Sequence, residues 1–384
     1  MEKRRLLLVT GKFPGVSHDT DGGSTMVRQL IDLFGADSML DVLFTRSIND
    51  NYKKINGVNK VFFHPCRFRD DNKFIRRILN ADWNRNKIMQ LIDGYDKVII
   101  IHCSKAFGLE HLNQEQIKKV VLFPMFLSSS YKRSGETVPD EYTLLEQKVL
   151  SKMKTIITPS FVEKEDLISE YSISEQNIII VPRAINRAIK KKERSRSKEN
   201  NIIYIGSFKK QKRPEDALKI IVELKRMGLK AHLFMIGSVQ DVEIFEQCKK
   251  IIHKNNIGSD VSILGVLSQN ELPGLLERMD VNISVSKWET FGRGIIEGLA
   301  SGLPTVVYSQ LTCLKQLLPP ESGLLFAKNK NEMVSIVYEL CTNPAFYKSK
   351  SEQTTMVAQR FSLSKQKEAL SHCLEDDSMK TAPM

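Results

Sequence analysis

The chain is short of everything that would make it a membrane, metal or disulfide protein. Its longest apolar stretch, Val120 to Leu127, is broken by Pro124, whereas a spanning helix needs about 20 residues. The basic start Met1-Glu2-Lys3-Arg4-Arg5 is followed by only Leu6 to Val9, too short for the apolar region of a signal peptide. Those residues read as a first strand. Cysteine is sparse: Cys66, Cys103, Cys248, Cys313, Cys341 and Cys373 lie far apart with no C-x-x-C pair. That spacing suggests neither a disulfide framework nor a zinc site and fits a reducing cytoplasm. No G-x-G-x-x-G follows the first strand, since Gly11 and Gly15 are spaced G-x-x-x-G. G-x-x-x-x-G-K-[ST], H-E-x-x-H and G-x-S-x-G are absent too. Asp19-Thr20-Asp21 is formally a D-x-D, but it stands in a loop rather than at the end of a central strand. It is read as loop acids, and no metal is expected.

What is present is a soluble globular composition, 41% hydrophobic and 27% charged over 384 residues, with a formal charge of +12. This length predicts two or three domains. The basic excess suggests anionic partners (phosphates, nucleic acid or an acidic membrane) without choosing among them. Short apolar runs alternate with helical patterns from Leu6–Thr10 through Lys97–His102 to Asn177–Val181, and this predicts a parallel sheet covered on both faces. From Arg183 to Lys198 basic residues crowd and apolar ones thin out. The alternation then restarts at Ile202 and continues to Phe326. The expected fold is therefore α/β: two doubly wound, Rossmann-like domains facing across a cleft. They comprise residues 1–186, a basic linker 187–200, a second domain 201–361, a C-terminal helix 362–375 completing the first domain, and a tail 376–384. Ligands of open α/β sheets bind beyond the carboxyl ends of strands, so the chemistry is expected on loops that follow strands.

The most informative segment is Ser284 to Tyr308, SVSKWETFGRGIIEGLASGLPTVVY. A strand ends, a loop carries Glu289, and a helix begins near Gly292–Gly294 with Glu297 one turn inside it. Gly302 suits the C′ position, and Pro304 blocks continuation. Glycines at a helix start let a ligand approach backbone N–H groups that favour a phosphate. Two carboxylates beside such a place suit sugar hydroxyls, because a charged acceptor makes the stronger hydrogen bond. On these grounds alone, an ordinary helix start with surface acids explains the segment equally well.

The segment resembles the retaining glycosyltransferases of family 4, which have the GT-B type fold and an E-x7-E motif. The matching residues are Ser286, Glu289, Phe291, Gly292, Glu297, Ala300, Gly302 and Pro304. Gly298 stands where the family usually has Ala, which costs helix propensity. Three further matches extend the resemblance over nearly the whole chain: Gly22-Gly23 after the first strand, His102 at the end of Lys97–His102, and Tyr204 to Asp216 around Gly206, Ser207 and Lys212. The usual Arg is Ser207 here, and Lys209, Lys210 or Arg213 are candidates to compensate. Gly237, Gly265 and Val266 follow later strands, as the family's nucleotide loops do.

The resemblance implies a donor site of Gly22, Gly23, Gly206, Ser207, Gly237, Gly265, Val266, Phe291, Gly292, Arg293 and Glu297. Catalytic parts fall to His102, Glu289 and Lys212. Glu289 would bind donor-sugar hydroxyls, Glu297 the ribose, His102 the sugar, and Lys212 the departing diphosphate. The implied reaction moves a hexose or N-acetylhexosamine from a nucleotide diphosphate sugar, UDP-linked in preference to GDP-linked, to a hydroxyl acceptor with retention. The acceptor is a glycan, glycolipid or small molecule. No metal and no cofactor beyond the nucleotide sugar is implied. Cysteine usage and charge together suggest a cytoplasmic protein, with an anionic membrane surface as an open partner for Arg67, Arg69, Lys73, Arg76, Arg77, Lys132 and Arg133. Two other readings stand beside it: a sugar-nucleotide epimerase of the same fold, and a non-enzymatic polyanion-binding protein.

Overall fold

A computed structural model describes residues 3–12, 22–45, 55–185, 188–189, 199–268 and 270–374. Asp19-Thr20-Asp21, most of the basic linker and the tail lie outside them. The chain divides into two compact units, Met1–Pro182 with Gln366–Met384, and Arg183–Lys365.

The first unit is built on a seven-stranded sheet. Its strands are β1 (Arg5–Thr10), β2 (Met39–Phe44), β3 (Lys60–Phe63), β4 (Lys97–Ile101), β5 (Val120–Phe123), β6 (Ile156–Thr158) and β7 (Ile178–Ile180). The order is β3-β2-β1-β4-β5-β6-β7, and every pairing is parallel. Leu6 to Val9 and Val98 to Ile101 are buried along their whole length, as strands covered on both faces must be. The C-terminal helix Leu363–Leu374 crosses the unit boundary. From Gln366 on it counts with this unit, and Lys367 forms an ion pair with Asp37.

The second unit carries a six-stranded sheet of β8 (Asn201–Ile205), β9 (His232–Ile236), β10 (Val261–Gly265), β11 (Val281–Ser284), β12 (Thr305–Tyr308) and β13 (Leu324–Ala327). Its order is β10-β9-β8-β11-β12-β13, again all parallel. Strand order reverses between β1 and β4 in the first sheet and between β8 and β11 in the second. Helices on either side diverge there and leave a crevice at the carboxyl ends, the usual ligand position in such sheets. His102 follows β4. Lys212 lies in the loop after β8, and Glu289 in the loop after β11. The topology thus brings these residues to reversal points of their own units.

Several boundaries differ from the sequence reading, among them Asn177–Val181, which shortens to Ile178–Ile180. Gly22-Gly23 is not a loop ahead of Ser24 but the first turn of the helix Gly22–Phe34. β4 ends at Ile101, one residue before His102, because His102 adopts φ 83° and caps a short turn of 3-10 helix. β3 stops at Phe63, and His64 just beyond it stacks on Trp83, ring centroids 4.3 Å apart.

Candidate donor site and the His102 corner

In the second unit, the loop Gly206–Arg213 and the loop Val285–Gly292 are bound to one another. The Lys287 amide donates to Gln211 O at 2.8 Å, and the Gln211 side-chain amide donates to Trp288 O at 2.9 Å. This stitching carries the Lys212 ammonium to 2.5 Å from Glu289 Oε1, with both side chains mostly buried. A second pair stands one turn on: Arg293 Nε donates to Glu297 Oε1 at 2.9 Å, and the Glu297 side chain is 4% exposed. Each carboxylate expected to receive sugar hydroxyls therefore has a cation of its own. Among the described residues no group of three or more His, Cys, Asp or Glu could hold a metal ion.

The helix that carries Glu297 runs Arg293–Ala300, with Gly292 at its N-cap in the left-handed region, φ 76°. A side chain is strained in that conformation, so glycine fits there. At the other end the Leu303 amide donates to Gly298 O and the Gly302 amide to Leu299 O, with Gly302 at φ 94°. That is a Schellman ending, and the Gly-then-Pro pattern announced it. Gly298 is set by its neighbour: a Cβ there would lie 2.3 Å from Asn282 Nδ2. Asn282 is buried on β11 and donates to Gly294 O and Thr305 Oγ1. Helix propensity loses to a buried amide. Sequence alone showed the departure from Ala without its cause.

The strand-end glycines have a shared geometry. The Gly206 amide donates to Ile236 O, and the Gly237 amide donates to Gly265 O. A Cβ on Gly237 would fall 2.1 Å from Gly206 O. Gly265 has φ 67°, and Val266 beside it is exposed. Of the candidates to replace the missing Arg at Ser207, Arg213 is occupied: it forms an ion pair with Asp216 and lies over the Tyr308 ring at 5.3 Å. Lys210 is exposed in the same loop. Phe291 is buried and packs edge-on against Phe361, ring centroids 5.7 Å apart.

In the first unit, the His102 ring accepts at Nδ1 from the Ser104 amide at 3.3 Å, with Ser104 Oγ at 3.0 Å. Accepting there puts the proton of the neutral ring on Nε2. Nε2 is buried and has no hydrogen-bond partner among the described residues. Desolvation, then the nearby charges of Arg77, Lys105, Lys12 and Lys73, holds the ring well below its ordinary pKa. It is a neutral donor at neutral pH. Burial raises the adjacent Cys103 thiol well above its usual range, which opposes a thiolate at that position.

Sequence reading missed a buried carboxylate, Glu146, on the helix Asp140–Lys152. Its Oε2 accepts from the Ser128 amide at 2.8 Å and the Tyr171 hydroxyl at 2.6 Å. No motif marks it; only its place on the inward face of a helix would have. Most of the first-unit basic run has local partners. Lys73 pairs with Glu136, Arg76 donates to Asp70 O, Arg133 pairs with Asp166, and Arg67 lies over Trp83.

Residues 185–355 match the family model described as glycosyl transferases group 1. An uncharacterised 41.2 kDa protein in the cps region of Klebsiella pneumoniae is 23% identical over 262 residues, 63% of this chain and 69% of that protein. Across the curated relatives, the matched stretch covers from 44% to 74% of their length. Among solved structures, sucrose-phosphate synthase from Thermosynechococcus elongatus superposes with a TM-score of 0.79 at 15% identity, covering 96% of this chain and 98% of that one. HepE of Anabaena, solved in complex with UDP and glucose, gives 0.72 at 12% identity, covering 97% and 99%. The fold is GT-B.

Proposed function

We propose that this chain, a GT-B protein whose residues 185–355 form a group 1 glycosyl transferase domain, transfers a hexose or N-acetylhexosamine from a UDP-sugar to a hydroxyl acceptor with retention of configuration. The observation that carries the proposal is the pair of ion pairs, Lys212–Glu289 on the loops after β8 and β11 and Arg293–Glu297 on the helix that follows. In the reaction the bond between C1 of the sugar and the diphosphate oxygen breaks. The acceptor oxygen bonds to C1 on the same face, and the hydroxyl proton leaves with the nucleoside diphosphate. The protein's task is to position both partners and to stabilise charge on the leaving group.

Lys212 meets the growing diphosphate charge, together with the N-terminus of the helix Arg293–Ala300. Glu289, released from Lys212, accepts donor-sugar hydroxyls, and Glu297, steadied by Arg293, accepts from the ribose. His102 donates from Nε2 to the sugar. The proposal includes no metal ion and no protein nucleophile. UDP is preferred to GDP by analogy with the HepE complex. Cytoplasmic placement, with an anionic membrane surface as a further contact, rests on cysteine usage and charge.

The test is transfer by Glu289→Ala and Glu297→Ala, using the nucleotide sugar that best raises thermal stability. Each variant removes a buried, charge-assisted contact, worth about 1.5–3 kcal/mol, or about 10- to 150-fold in rate. Full transfer by both variants, with unchanged folding, would sink the assignment.

A further inference from the structure

Arg293 stands against two local rules of helix electrostatics. It is the first residue of the helix Arg293–Ala300, where the macrodipole is positive and a cation is disfavoured. Its partner Glu297 lies four residues further on, and a pair with the cation on the N-terminal side is the weaker orientation. The first turn holds no acid, and no side chain caps it. Helix stability therefore favours another residue at this position. A residue that goes against local preference marks a place where function sets the choice.

The ion pair leaves most of the guanidinium unused. Nε donates to Glu297 Oε1 at 2.9 Å, and the terminal amino groups make no hydrogen bond among the described residues. Side chains on a helix lean toward its N-terminus, so Glu297 reaches back and both heads meet at the first turn. The guanidinium is the more exposed member, 22% against 4%, so the pair turns its cation outward. With Nε fixed by a carboxylate, the terminal amino groups keep a planar fork that matches phosphate oxygens.

We propose that Arg293 binds the phosphate esterified to the ribose, through its terminal amino groups, while its Nε holds Glu297. This rests on the transfer reading and deepens it by dividing the diphosphate between two cations. In a nucleotide diphosphate sugar the groups follow in the order ribose, inner phosphate, outer phosphate, sugar. Glu297 is assigned to the ribose and Glu289 to the sugar. The cation on Glu297 then falls to the inner phosphate, and Lys212, on Glu289, to the outer one. Arg293 sets affinity for the nucleotide, and Lys212 meets the phosphate that leaves the sugar.

The experiment is calorimetric binding of uridine, UMP and UDP, and of the guanosine series, to the full-length protein at neutral pH and constant ionic strength. The readout is the gain in affinity on adding each phosphate, so that a change at Glu297 common to the whole series cancels. Arg293→Met should cut the gain from nucleoside to monophosphate about tenfold, equivalent to about 1.4 kcal/mol. Arg293→Gln, which keeps a donor for Glu297, should do the same and serves if the Met variant does not fold. Arg293→Lys should recover part of the gain. Lys212→Met should instead cut the gain from monophosphate to diphosphate. Lys250→Met, exposed on the helix Val242–Lys254, is the control for net charge. An unchanged monophosphate gain in the folded Arg293 variants, or a loss confined to the second phosphate, overturns the proposal and leaves the transfer reading standing. Binding of neither series by the unaltered protein overturns both.

Discussion

Replacing Gly298 by Ala installs the residue usual at this position in the resembling family, and on helix propensity alone it should stabilise the chain by about 1 kcal/mol. The structure predicts the reverse. The new methyl carbon would stand 2.3 Å from Asn282 Nδ2, 2.8 Å from its Cγ and 3.0 Å from its Cβ, so it meets a whole buried side chain and not one flexible end. Overpacking of this kind costs about 1–3 kcal/mol. If Asn282 turns away, its bonds to Gly294 O and Thr305 Oγ1 go unmade inside the core, at about 1–3 kcal/mol. Set against the propensity gain, either cost leaves a net loss centred on about 1 kcal/mol, or about 2–4 °C in melting temperature for a unit of this size. The assay is thermal unfolding of Gly298→Ala, Asn282→Ala and the double variant. Asn282→Ala removes the obstacle, so the double variant should be more stable than the sum of the single effects by about 1 kcal/mol or more. A higher melting temperature in Gly298→Ala alone, or strict additivity, would refute the steric account. Because the same helix carries Glu297, Gly298→Ala should also slow transfer.

Two pH effects of opposite sign follow from buried groups in the first unit. His102 has a lowered folded pKa, so the unfolded chain takes up the proton first as pH falls. Stability should drop below about pH 6.5, and His102→Gln should flatten that part of an unfolding profile. Burial raises the folded pKa of Glu146, so its contribution is fully present below its ordinary pKa and is lost as pH rises through the raised value. Glu146→Gln keeps an acceptor for the Ser128 amide and the Tyr171 hydroxyl and should match or exceed the parent's stability at neutral pH. Glu146→Ala should lose about 1–3 kcal/mol there, as denaturant unfolding would show.

The parallel sheets were legible because strands buried on both faces are apolar throughout, as Leu6–Val9 and Val98–Ile101 are. The Glu297 helix was legible because Gly292, Gly302 and Pro304 punctuate it at both ends. Pairings between residues distant in sequence were not legible. Nothing local links Lys212 to Glu289 or Asn282 to Gly298; the parallel neighbours β8 and β11 bring the first two together, and β11 packing against the helix brings the others. His102 was expected as the last residue of its strand and lies one residue past it. Its positive φ follows from the turn that Ser104 closes, and no pattern rule assigns that to histidine. Gly22-Gly23 went the other way: a helix start admits a glycine pair that composition alone marks as a turn.

The Lys212–Glu289 pair has a consequence for discrimination among ligands. In the proposed reading the cation answers to the diphosphate and the carboxylate to the sugar. A molecule offering only a diphosphate takes the cation and strands a mostly buried carboxylate; a free sugar takes the carboxylate and strands the ammonium. Only a compound with both parts, joined at the right separation, exchanges the internal partnership for two new ones with no charge left alone. In that reading the pair is a coincidence detector, disfavouring free sugar and free nucleotide alike and admitting their conjugate.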